Sequence, residues 1–175
     1  MTTQTAPAKW IGWVGGIAVA AILFGALLPF FPAMLARLGN VAWDGPNWSL
    51  WARLPAIIQL HVLSAVAAMA IGSVIFVRPK GRALHKTLGW GWVFAMGMTA
   101  VSSLFITGLN GDVYSLVHIL SGWTIVALPM AVFAIRNRKV VAHRRAMTGI
   151  FVGGLVIAGS LSFLPGRFMF EFFFG

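Results

Sequence analysis

Five apolar runs, each about 20 residues long, constrain this chain more than any other feature of its sequence. A helix rises about 1.5 Å per residue, so about 20 residues cross the roughly 30 Å of bilayer hydrocarbon. The runs lie near 10–32, 54–77, 87–107, 113–135 and 145–165. Only 9% of the residues are charged, against about a quarter in soluble domains. The sequence therefore predicts an all-α integral membrane protein with five transmembrane helices, forming a single membrane domain over residues 1–175.

Two of the predicted spans have features of their own. The first, 10–32, is too long and too weakly basic at its start for a cleaved signal peptide, so we interpret it as a retained anchor helix. The fourth, 113–135, contains Pro129, which removes a backbone donor and predicts a kink.

The positive charges predict the orientation, because lysine and arginine accumulate in cytoplasmic loops. Three cations fall on the opposite side, beside the acids Asp44, Asp112 and Glu171. Most of the 13 lysines and arginines share one side: Lys9, Arg78, Lys80, Arg82, Lys86, Arg136, Arg138, Lys139, Arg144 and Arg145. The N-terminus is therefore predicted inside and the C-terminus outside. The net charge of +10 then needs no nucleic acid as a partner, since these side chains can meet anionic lipid headgroups in the bilayer.

A phrase that occurs twice divides the rest of the chain into two halves. "HVLSA" begins at His61 and "HILSG" begins at His118. With one extra residue in the second basic loop, Arg78 aligns with Arg136, and His85 with His143. We interpret 54–108 and 113–166 as tandem copies of one helical hairpin, related by an axis along the membrane normal.

The two hairpins predict where the four histidines lie. Packed together they form a four-helix bundle of spans 2–5, with span 2 diagonal to span 4 and span 3 diagonal to span 5. His61 and His118 then share one depth in the outer third, and His85 and His143 share another near the cytoplasmic ends. Counted along span 2, the two levels are roughly 25 Å apart.

Paired imidazoles across a bundle are typical of b-type haem proteins, because haem iron takes a neutral imidazole on each side. Small residues follow His61 on its helical face, which lets a flat ring approach the backbone. Four loop arginines could bind haem propionates at the inner level: Arg78, Arg82, Arg136 and Arg144. The sequence thus predicts one or two haem b groups with His61, His118, His85 and His143 as iron ligands. A single buried histidine can also serve only to hydrogen-bond a neighbouring helix.

The order of histidines on four consecutive spans resembles the layout of the cytochrome b561 fold. The chain is also similar to an uncharacterised prokaryotic family, the domain of unknown function 2306. The shared features are a span-2 histidine (His61), "LHKTLG" from Leu84, which contains His85, "AHRRAM" from Ala142, and Arg167. The likeness covers most of 58–167. It implies a multi-pass protein of the cytoplasmic (inner) membrane of a prokaryote, and no activity.

Several function classes lack the residues they need. The chain has no cysteine, so thiolate sites are excluded, and no predicted span contains a carboxylate for paired-acid hydrolysis. Two hypotheses remain. One is a haem-binding electron-transfer protein, a component of a membrane oxidoreductase, with a quinone, a redox partner or a larger membrane complex as candidate partners. The other is a haem-free accessory or assembly protein, whose histidines and arginines bind lipid or hold helix ends.

Overall fold

The structure is a computed structural model that describes residues 31–38, 43, 45–106 and 116–175. It divides into two compact units. The described part of the first is helix α1, Phe31–Leu38, and Trp43. All but the end of the predicted anchor 10–32 lies outside the described residues, so five spans, the single domain and the orientation stay predictions.

The second unit, 44–173, carries the histidines. All of its described regular structure is helical, which confirms the all-α prediction. Its helices, in chain order, are α2 (Trp48–Ala52), α3 (Ala56–Val77), α4 (Ala83–Ser103), α5 (Leu116–Arg136), α6 (Val140–Ile150), a π-helical segment (Phe151–Ile157), α7 (Ala158–Leu161) and α8 (Phe168–Phe174).

Three stretches of the described helices are long and apolar enough to cross a membrane: Ala56–Val77, His118–Arg136 and Val140–Leu161. Helix α4 has 21 residues, which is sufficient length, but glycines, tryptophans and hydroxyl residues lower its hydropathy. The position of α4 explains its lower hydropathy, because many of its residues from Trp92 to Ser103 are buried against other helices. A helix that faces other helices needs less apolar surface than one that faces lipid.

The helices pack as a closed ring of neighbours. Helix α3 contacts α4, α4 contacts α5, α5 contacts α6, and the π-helical segment contacts α3 again. Helices α3 and α4, and helices α5 and α6, are joined by short described loops and run in opposite directions. This neighbour pattern is that of an up-and-down bundle, in which α3 is diagonal to α5 and α4 is diagonal to α6.

Two helices begin earlier than the hydropathy predicts. Helix α4 begins at Ala83 rather than 87, and α6 begins at Val140 rather than 145. In each basic loop a left-handed residue precedes the helix, Gly81 at φ 83° and Arg138 at φ 59°. Both helices therefore start within charged sequence, where hydropathy gives no signal.

Large side chains fill the middle of the bundle. The core cluster includes Trp92, Met96, Leu128 and Leu155. Met96 is accommodated by Gly154, since a Cβ there would lie 2.9 Å from the Met96 Cε. This middle layer separates the helix ends that carry His61 and His118 from those that carry His85 and His143.

Candidate functional site

His61 is joined to the neighbouring helix through one ring nitrogen. Its Nδ1 lies 3.0 Å from the backbone oxygen of Thr99 and 3.2 Å from Ser102 Oγ, both on α4. A carbonyl oxygen only accepts, so Nδ1 carries the proton of the neutral imidazole and donates it. The basic lone pair is then on Nε2, which is the form in which imidazole binds a metal.

Hydroxyl groups on the 99–103 segment of α4 join three helices. Thr99 Oγ1 donates to Ser64 Oγ at 3.0 Å, between α4 and α3. The hydroxyl of Ser103 donates to that of Ser121, between α4 and α5. The serines of the two repeated phrases, Ser64 and Ser121, therefore both bond to α4. These contacts satisfy hydroxyl groups for which apolar side chains and lipid tails offer no hydrogen-bond partner.

His118 lies on α5 at the same level as His61. It is three residues before Ser121, and both Ser121 and His61 contact the 99–103 segment of α4. The side chains of His61 and His118 are half-buried. Both hydrogen bonds of the His61 ring go to α4, the neighbouring helix. Among the described residues, the ring has no hydrogen bond to the diagonal helix α5.

His143 repeats the arrangement of His61 at the other level. Its Nδ1 lies 2.9 Å from the backbone oxygen of Ala131 on α5, so this imidazole also donates from Nδ1 and keeps its lone pair on Nε2. The two histidines are not equivalent positions of the repeat, and their bonds run in different directions: His61 bonds to the helix that follows it, and His143 to the helix that precedes it.

His85 lies in the first turn of α4, outside the predicted span 87–107. Burial lowers its pKa, and electrostatic interaction with His143 and Lys80 lowers the pKa further. The pairing of His85 with His143 across a haem stays a prediction.

The lowered pKa of His85 predicts a pH effect on stability. Below its ordinary pKa of 6.5 the unfolded chain binds the proton more readily than the folded protein, so stability falls as pH drops through that value. His85→Gln is expected to reduce this loss between about pH 7 and 5. Thermal unfolding midpoints of the haem-free protein, measured across that range, test the effect, with Lys86→Gln as a control that does not titrate there. Equal pH slopes in His85→Gln and the wild-type protein would contradict it.

The four predicted arginines lie at the same end of the bundle as His85 and His143. Arg78 follows α3, Arg82 precedes α4, Arg136 ends α5, and Arg144 is in the second turn of α6. All four side chains are exposed. Their proposed contacts with propionates stay a prediction.

The sequence analysis missed the groups that hold the histidine rings. Thr99 and Ser102 hold His61, the Ala131 carbonyl holds His143, and Lys80 acts on His85. The spacing of Thr99, Ser102 and Ser103 on one face of a predicted span was the available signal. A backbone carbonyl such as that of Ala131 gives none.

In the described ranges no group of three or more histidine, cysteine, aspartate or glutamate side chains could hold a metal ion. The four histidines therefore stay the candidate site of the sequence analysis, and their ligand stays a prediction.

A family of membrane proteins matches the chain. It is described as "Predicted membrane protein (DUF2306)", and the match covers residues 58–172. No curated protein and no solved structure matches. The matched region includes all four histidines and the ring of helices that carries them. The chain thus belongs to the DUF2306 family of predicted membrane proteins.

Proposed function

We propose that this protein is a b-type cytochrome-like electron-transfer protein of the cytoplasmic membrane of a prokaryote. One or two haems are held by paired histidines, His61 with His118 and His85 with His143. The observation that carries the proposal is that one histidine at each level, His61 and His143, donates its Nδ1 proton to a backbone carbonyl of a neighbouring helix.

The donor set fits haem iron. Metal-bound histidines almost always donate the second ring N–H to a carbonyl, carboxylate or water, which fixes the tautomer and raises the basicity of the ligand nitrogen. His61 and His143 have this arrangement before any ligand is considered. Side chains around His61 on α4 are small, namely Thr99, Ala100 and Ser102, and all three are buried.

The two ends of the bundle would then have different tasks. At the level of His85 the exposed arginines provide charge-assisted hydrogen bonds for anionic propionates. At the level of His61 the hydroxyl groups orient the imidazole and exclude competing donors. Haem, when bound, supplies reversible one-electron chemistry. The packed middle layer around Trp92 and Met96 keeps the two levels apart.

The haem-to-protein ratio of the purified protein tests this proposal. We expect one or two haems for each chain when the protein is produced with haem supplied, measured as the pyridine complex of the extracted haem. A protein that folds as a monodisperse helical species and contains no haem would refute the proposal.

A haem-free structural protein is the second candidate, and one observation favours it. The His61 ring is already hydrogen-bonded to α4, so the residue also serves as a clamp between two membrane helices. Such bonds contribute about 0.6 kcal/mol each on average. In this alternative, replacing His61 lowers stability by about that amount and changes no spectrum.

Replacing the neighbouring residues Ser102 and Ser103 distinguishes an effect on the proposed haem ligand His61 from an effect on helix packing. Ser102 Oγ contacts His61 Nδ1, whereas Ser103 Oγ bonds to Ser121. Ser102→Ala removes an acceptor from the imidazole, lowers its basicity, and is expected to raise the reduction potential of the haem at His61. Ser103→Ala is expected to leave that potential unchanged and to cost about 0.6 kcal/mol of stability. A redox titration of both variants checks this, and identical potentials would contradict it.

A further inference from the structure

A shallow groove runs along the exposed face of α5 towards the basic end of that helix. Its volume is about 380 Å³, and it is lined by Pro129, Met130, Phe133, Ala134, Asn137 and Lys139. The side chains of Met130 and Phe133 are 64% and 68% exposed. Because α5 is a membrane-spanning candidate, we expect this exposed face to meet lipid.

The groove changes in character from one end to the other. From Pro129 to Ala134 its lining is apolar, apart from backbone. At the basic end Asn137 donates its amide to the Phe133 carbonyl at 2.9 Å, which leaves the amide oxygen and the neighbouring Lys139 ammonium exposed. Arg136 and Arg138 flank them. Glu171, the single acidic side chain among the described residues, follows α7 at the opposite end.

The length of the groove matches one leaflet. Pro129 to Asn137 spans about 12 Å along a helix, close to half of the roughly 30 Å hydrocarbon thickness. The groove is apolar over the depth of one leaflet and cationic at its end. It is therefore complementary to a phospholipid whose acyl chain lies along the groove and whose anionic phosphate lies at the cationic end.

We propose that this groove is a binding site for an anionic phospholipid, with an acyl chain against Met130 and Phe133 and the phosphate at Lys139. A quinone fits less well, since its neutral headgroup gains little from the cationic end. Lipid binding at this groove does not require haem. The groove is also separate from the basic side chains at the start of α4, which lie beside the loop between α3 and α4.

Native mass spectrometry of the purified full-length protein tests the site with dioleoyl phosphatidylglycerol and dioleoyl phosphatidylcholine as probes. The wild-type protein is expected to bind phosphatidylglycerol more tightly by about five-fold, the worth of one cation near a membrane surface. Lys139→Gln is expected to remove that preference. Lys86→Gln, which deletes an exposed cation of the same end outside the groove, is expected to keep it.

Ala134→Phe fills the groove without changing charge and is expected to weaken binding of both lipids. Ala67→Phe, on the exposed face of α3, is the matched control and is expected to leave binding intact. The proposal is overturned if Lys86→Gln lowers the preference as much as Lys139→Gln, which would mean diffuse charge. It is also overturned if Ala134→Phe and Ala67→Phe behave alike, or if a short-chain quinone displaces phosphatidylglycerol.

Discussion

Replacing His61 by alanine is expected to remove the haem at its level and to leave the haem at the level of His85 and His143 in place. The α-band absorbance of the reduced protein should fall by about half if two haems are bound. The physical reason is that a methyl side chain offers no lone pair to the iron, whereas the packed layer around Met96 keeps the second pair undisturbed. Visible spectroscopy of the purified variant measures the change.

His85→Ala is the matched variant for this experiment, because it removes one imidazole from the other level. We expect it to remove the complementary half of the absorbance, and the double variant to remove all of it. Circular dichroism and gel filtration show whether each variant still folds. If a folded His61→Ala protein retains the complete spectrum of the wild-type protein, His61 is not a ligand and acts only as a clamp to Thr99.

Gly72→Ala is expected to destabilise the protein by about 1–2 kcal/mol, which is an overpacking cost reduced by the helix preference of alanine. A Cβ at this position would meet the Phe151 ring and would lie 2.8 Å from Trp92 Nε1. Trp92 is 5% exposed, and the Phe151 ring lies 5.0 Å from that of Phe76. Neither ring can move without disturbing the middle layer, so the added methyl group costs stability.

Gly149→Ala is the control for this substitution, since Gly149 is also in a helix and a Cβ there has no heavy atom within 4 Å. It is expected to leave stability unchanged or to raise it by up to about 1 kcal/mol. Thermal unfolding midpoints of the two variants give the comparison. Equal midpoints for Gly72→Ala and Gly149→Ala would show that the Phe151 and Trp92 rings adapt at little cost.

The sequence predicted the helices well where apolar residues define them. The second predicted span, 54–77, corresponds to Ala56–Val77, and its histidine lies on the face that contacts α4. The prediction was less good where a helix continues into charged sequence, as at Val140, because hydropathy reports the hydrocarbon boundary and not the helix end. No periodicity of apolar residues in the sequence predicts the π-helical segment Phe151–Ile157.

The sequence points to the candidate residues but does not predict their contacts. A repeat containing His61 and His118, and another containing His85 and His143, is visible in the letters. The hydrogen bond that fixes each ring depends on helix rotation and on backbone carbonyls such as that of Ala131, which every residue type possesses. His61 and His143, which occupy different positions of the repeat, bond to helices on opposite sides of themselves in the chain.

The dithionite-reduced minus oxidised visible spectrum of the purified protein tests the central claim most directly. The two predicted histidine pairs, each with one ring tethered through Nδ1, predict a b-type α band that is weakened in His61→Ala and in His85→Ala. A colourless protein, folded and produced with haem supplied, would contradict the claim, and the histidines would then be helix clamps and loop contacts of a haem-free membrane protein.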